Sequence, residues 1–144
     1  MSETIFNLGN LLAMAGWLTL LAGLAIRPFR PRSIGLVRLV AALVFGAAYI
    51  GLLVAGREAF GEGGFSSIAA VRALFANDYA LTAGWLHYLA FDLFVGAWIV
   101  EDSGRRGIPG WLIVPCLGLT FMFGPAGLLL YAVLSLFAPE KKAA

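Results

Sequence analysis

The chain has 144 residues, of which 61% are hydrophobic and 12% charged, with a mean hydropathy of +0.91. An ordinary soluble domain holds roughly 45–50% apolar and about 25% charged residues. Composition therefore excludes a water-soluble globule, because so short a chain cannot enclose this much apolar surface and lipid has to cover it. The ten basic residues are scattered through connecting segments and give a formal net charge of +2, which leaves no basic stripe for nucleic acid. Cys116 is the single cysteine and His87 the single histidine, so an internal disulfide is excluded and a metal or haem site would lack its usual ligands. Neither a metal nor a cofactor is expected.

Thr4 to Ile26 carries no formal charge and is long enough to cross roughly 30 Å of hydrocarbon at about 1.5 Å per residue, which predicts a first span at about 4–26. Glu3 occupies the place of a signal peptide's positive region, so the segment reads as a retained span. Arg27-Pro28-Phe29-Arg30-Pro31-Arg32 ends it, and a second span follows at about 34–55. Its small pairs, Ala42 with Gly46 and Ala47 with Gly51, would let another helix approach closely, in this chain or in a second copy. Between Gly56 and Asp78, Ile68, Val71 and Phe75 recur at helical spacing while Arg72 can snorkel, which predicts a short interfacial helix.

A third span is predicted at about 79–100, closed by Glu101-Asp102-Ser103-Gly104-Arg105-Arg106-Gly107. A fourth is predicted at about 109–137, kinked at Gly124-Pro125 and widening a cavity at mid-membrane. The expected architecture is an all-α, polytopic membrane protein. Residues 1–144 form one domain, a four-transmembrane-helix bundle with both termini on the same side. Arg27, Arg30, Arg32, Arg38, Arg105 and Arg106 stand on one side, against Arg57, Arg72, Lys141 and Lys142 on the other; this places the short loops inside and the termini outside.

Polarity inside the spans marks the candidate site. Asp92 in mid-span needs a partner or a proton, and Arg38, entering from the same side, is the expected ion-pair partner. His87, five residues before Asp92, lies about 140° around the helix and lines up with Phe91, Phe94 and Trp98, whereas Asp92 lines up with Tyr88. His87 reads either as a histidine bonded to Asn7 or Asn10 of the first span, or as a proton donor or acceptor beside a lipophilic ligand. Asn7, Asn10, Met14 and Trp17 make a polar-to-aromatic stripe down the first span, and Thr120 can reach a carbonyl freed by proline or a ligand. Together His87 and Asp92 are expected to line one cavity walled by Trp17, Tyr88, Phe91 and Phe94.

The segments Trp85-Leu86-His87-Tyr88-Leu89-Ala90-Phe91-Asp92-Leu93-Phe94-Val95-Gly96 and Leu119-Thr120-Phe121-Met122-Phe123-Gly124-Pro125-Ala126-Gly127-Leu128-Leu129 resemble the abscisic-acid-deficient-four-like family. These are small four-span membrane proteins whose plant members are required for making neoxanthin from violaxanthin. The resemblance implies a carotenoid or similar polyene as ligand, with isomerisation and epoxide opening as the chemistry. It also implies His87, Tyr88, Asp92, Thr120 and Gly124 as site residues. Opening an epoxide needs an acid at oxygen and a base at a neighbouring carbon, which Asp92, His87 and Tyr88 can supply without a cofactor. Two other readings stand beside this one: a non-catalytic lipophile-binding or accessory subunit of a larger membrane complex, and a small oligomeric transporter using Asp92 and Arg38. Expected partners are membrane lipids, a polyene and further copies of the chain or a larger complex. The expected location is the cytoplasmic membrane of a bacterium.

Overall fold

The computed structural model describes residues 1–138, and every regular element among them is helical. Helix α1 (Ser2–Ala25) leads through a 3₁₀ turn at Arg27–Phe29 into α2 (Arg30–Leu39), a π-helical segment (Val40–Phe45) and α3 (Gly46–Ala55). Short α4 (Ala59–Glu62) and α5 (Ile68–Leu74) precede the long α6 (Asp78–Arg106), which is followed by α7 (Gly110–Phe123) and α8 (Pro125–Leu136). Three segments are long and apolar enough to cross a membrane: Ser2–Ala25, Arg27–Ala55 and Asp78–Arg106. The protein is an all-helical membrane protein.

Two helix ends differ from the sequence expectation for a local reason. The second segment begins at Arg27, because Pro28 and Pro31 fall in first-turn positions, where a missing N–H costs nothing. The third runs on through Glu101 and Asp102 to Arg106 and stops at Gly107, which is left-handed with φ 69°. The charges that read as a loop are thus the last turns of a helix. Helix α5 falls where a short helix was predicted, capped by the Ser67 hydroxyl, which accepts from the Ala70 amide at 3.1 Å.

Helix α6 is the spine, packed against α1, α2, α3, α7 and α8. Glycines bring α1 close to it: a Cβ on Gly16 would stand 2.9 Å from Leu93, and one on Gly96 would stand 2.7 Å from Trp17. Within the chain the glycines of the second segment's small pairs play no such part, since nothing lies within 4 Å of a Cβ built on Gly46 or Gly51.

The predicted fourth span is replaced by a helical hairpin. Gly124 takes φ 44° and ψ −94°, a conformation that glycine tolerates and other residues resist, and the chain reverses there. Gly127 packs directly against the backbone of Thr120 and Cys116, which a straight or gently kinked helix could not allow. Helix α8 returns to where α7 began. The Tyr131 hydroxyl donates to Asp102 Oδ2 at 2.6 Å, and Arg106 Nη1 donates to the Ala138 carbonyl at 3.2 Å. At about 1.5 Å per residue neither arm reaches across 30 Å of hydrocarbon. The described chain therefore begins at one end of the bundle and leaves at the other, the end where the arginines cluster.

Candidate functional site

The hairpin tip lies against Asp92. A Cβ on Gly124 would stand 2.8 Å from Asp92 Oδ1, so only glycine permits both the reversal and the contact. Asp92 is 9% exposed, and its Oδ2 has no hydrogen-bond partner among the described residues. Tyr88, one turn earlier on α6, sets its hydroxyl beside this carboxylate and points it at the carbonyls of Phe121 and Met122, at 3.5 and 3.4 Å.

Those two carbonyls belong to the last turn of α7, where a helix runs out of amide donors. The Gly124 amide goes to Thr120, those of Gly127 and Leu128 go to Gly124, and Pro125 has none. At the tip the buried Asp92 Oδ2 has no donor among the described residues, and the single Tyr88 hydroxyl serves both the carboxylate and the carbonyls of Phe121 and Met122. A buried acceptor such as Asp92 Oδ2 is costly until something donates to it.

Beside the tip, α1 and α7 enclose an apolar groove of 240 Å³ walled by Met14, Trp17, Leu18, Val114, Leu117 and Phe121. Trp17 meets Phe121 edge to face with ring centroids 5.8 Å apart. Phe121 thus joins groove and tip, its ring in the one and its carbonyl under Tyr88. Thr120 is fully buried and donates to the Cys116 carbonyl at 2.8 Å within α7, where Gly127 of the returning arm packs against it.

His87 is elsewhere. Its ring stacks with Phe91 at 4.5 Å and Tyr49 at 5.7 Å and lines a separate recess of 230 Å³ with Phe60, Phe65 and Phe75. The five-residue offset that put His87 and Asp92 on different faces of α6 also puts them in different surroundings, and the structure does not bring them into one cavity. Asn10 does not reach His87 either; its Oδ1 accepts from Trp85 Nε1 at 2.8 Å. Phe91 and Phe94 are both exposed, and Phe94 lies under the Arg38 guanidinium, 5.4 Å from it.

Arg38 pairs with Glu101, at 2.7 Å, and not with Asp92. The reason is directional. Side chains on a helix lean toward its N-terminus, and the N-terminus of α2 is at the arginine end, so Arg38 reaches back toward Glu101 rather than deeper toward Asp92. One residue on, buried Asp102 collects Tyr131 at 2.6 Å, Arg106 at 2.6 Å and Arg105 at 3.0 Å. Sequence reasoning passed over both acids as loop charges. The readable signal was Asp102 with Arg105 and Arg106 at i+3 and i+4, which is helical pairing.

Among the described residues no three His, Cys, Asp or Glu side chains stand together as a metal site. What the tip can do is accept: it suits a ligand hydroxyl, or a carboxyl proton passed to and from a ligand oxygen. No curated protein and no solved structure matches the chain. The ABA DEFICIENT 4-like family model matches residues 4–131, a stretch that takes in all three long segments, the hairpin tip with Asp92 and Tyr88, and the Asp102–Tyr131 contact, and the chain belongs to that family.

Proposed function

We propose that the chain binds a carotenoid-like polyene with one end in the α1–α7 groove and its oxygenated end group at the hairpin tip. Membership of the family fits a carotenoid-related membrane protein and supports the class of ligand. The observation that carries the reading is the unpartnered Asp92 Oδ2 beside the carbonyls of Phe121 and Met122, which a hydroxyl on the end group would satisfy. Conversion needs one further step. The Asp92 carboxyl gives its proton to an epoxide oxygen as the C–O bond opens, and the carboxylate takes a proton from a neighbouring carbon. The sum is an isomerisation with no cofactor.

The separation of His87 from Asp92 favours a second reading, in which the polyene is bound and not converted. One experiment separates them. Purified protein reconstituted with an epoxy-carotenoid is followed by absorbance and by chromatography of the extracted pigment. Trp17→Ala should weaken binding under either reading. Asp92→Asn should abolish conversion while binding persists. A wild-type protein that binds no polyene overturns the proposal, and an Asp92→Asn protein that converts pigment like the wild type removes Asp92 from catalysis.

In the membrane we read α7 and α8 as a re-entrant hairpin that enters and leaves on the arginine side. Discontinuous helices of this kind are tolerated at depth where protein covers the break, as α6 does here. The arginine side holds Arg27, Arg30, Arg32, Arg38, Arg105 and Arg106, and the other side holds Arg57 and Arg72, while Lys141 and Lys142, expected on that other side, lie outside the described residues; on this count the arginine side is cytoplasmic. Helix α5 then lies at the opposite interface.

A further inference from the structure

We propose that the arginine end of the bundle is a binding site for the phosphate headgroup of an anionic phospholipid. Two recesses open there on either side of Arg30. One, of 550 Å³, lies between the end of α1 and the α6–α7 turn and is lined by Arg27, Arg30, Ser103 and Gly110; the other, of 510 Å³, is lined by Arg30, Arg38, Glu101 and Arg105. The Arg30 guanidinium lies close over Gly104, where a Cβ would stand 2.7 Å from Nη1.

Among the described residues only part of the charge at this end meets a carboxylate. Arg38 takes Glu101, and Arg105 and Arg106 share Asp102. Arg30 spends its Nε and Nη2 on the carbonyls of Gly23 and Leu24, at 3.4 and 3.2 Å, which caps α1 but cancels no charge. Among the described residues Arg27, Arg30 and Arg32 pair with no carboxylate. A phosphate diester offers a single negative charge and oxygens spaced for a guanidinium fork. Basic pockets between membrane helices on the cytoplasmic side are where such headgroups bind.

Apolar neighbours favour a lipid over a soluble phosphate. Ile26, Leu36 and Trp111, each next in sequence to a residue that lines a recess, are 55%, 52% and 73% exposed, offering acyl chains a path down the bundle and an indole at headgroup depth. The site is distinct from the hairpin tip and stands or falls without the polyene.

The test uses the full chain in detergent and reads lipid retention by native mass spectrometry, with phosphatidylglycerol and phosphatidylcholine offered together. The wild type should retain phosphatidylglycerol selectively. Arg27→Gln should weaken it by about fivefold, the loss expected of one interfacial arginine. Arg27→Lys should fall between, keeping the charge and losing the fork. Arg32→Gln, outside both recesses, should weaken it less than Arg27→Gln does. Arg27 lies on an exposed turn, and circular dichroism checks that its variants remain helical. Equal losses from Arg27→Gln and Arg32→Gln would reduce the effect to diffuse surface charge and overturn the site. Equal retention of the two lipids would overturn it too, as would inorganic phosphate binding at the recess without displacing the lipid.

Discussion

Tyr131 and Asp102 are 29 residues apart in the chain and 2.6 Å apart in space. This contact fixes the returning arm of the hairpin to the spine of the bundle, and both side chains are buried, at 0% and 3% exposure. A buried hydrogen bond to a charged acceptor contributes about 1.5–3 kcal/mol. Tyr131→Phe should therefore lower stability in detergent by that amount, read from thermal or denaturant unfolding. Asp102→Asn should cost more, because it takes the counter-charge from Arg105 and Arg106 as well. A Tyr131→Phe protein as stable as the wild type would mean that the hairpin is held by its apolar faces alone.

The hairpin also decides topology. Reporter fusions at Arg30, at Arg106 and after Ala144 should all report the cytoplasm, and fusions at Gly63 and ahead of Ser2 the opposite face. A fourth crossing would instead put the C-terminal reporter with Gly63. That single pairing distinguishes a hairpin from a span, and no intermediate result satisfies both.

The three long segments were legible in the sequence because an apolar stretch of more than 20 residues with at most one charge has few other uses. Asp92 and Tyr88 stood out in the sequence as candidates for a related reason: polar groups at that depth need partners, and the partners must come from within. The hairpin was hidden by its own composition. Residues 109–137 are apolar and long enough to span, and hydropathy carries no information on the sign of φ at Gly124. Proline alone does not supply it either, since Pro115 sits inside α7 without ending it, while the Gly124-Pro125 pair reverses the chain. The partner of Arg38 was missed because depth along a helix was counted from Cα positions, whereas a long side chain on α2 leans a full turn toward the arginine end. The unpartnered Asp92 oxygen at the tip needed the reversal, so it could not be read before the fold was known.

The Arg38–Glu101 pair gives the sharpest check on that correction. Both side chains are partly open, at 29% and 37% exposure, and an ion pair of this kind couples by up to about 1 kcal/mol. In a double-mutant cycle with Arg38→Leu and Glu101→Gln, the double variant should lose less stability than the two single losses added together, because whichever partner goes first also removes the purpose of the other. The same cycle with Arg38→Leu and Asp92→Asn should be additive, since no contact joins them and each residue answers to different neighbours: Arg38 to Glu101 and the Phe94 ring, Asp92 to Tyr88 and the hairpin tip. Running both cycles in one detergent at one ionic strength removes screening as an explanation of any difference. Coupling to Asp92 with none to Glu101 would restore the mid-membrane pair and place Arg38 in the site. The reverse result leaves Asp92 without a cationic partner in the protein, free to meet whatever the groove delivers.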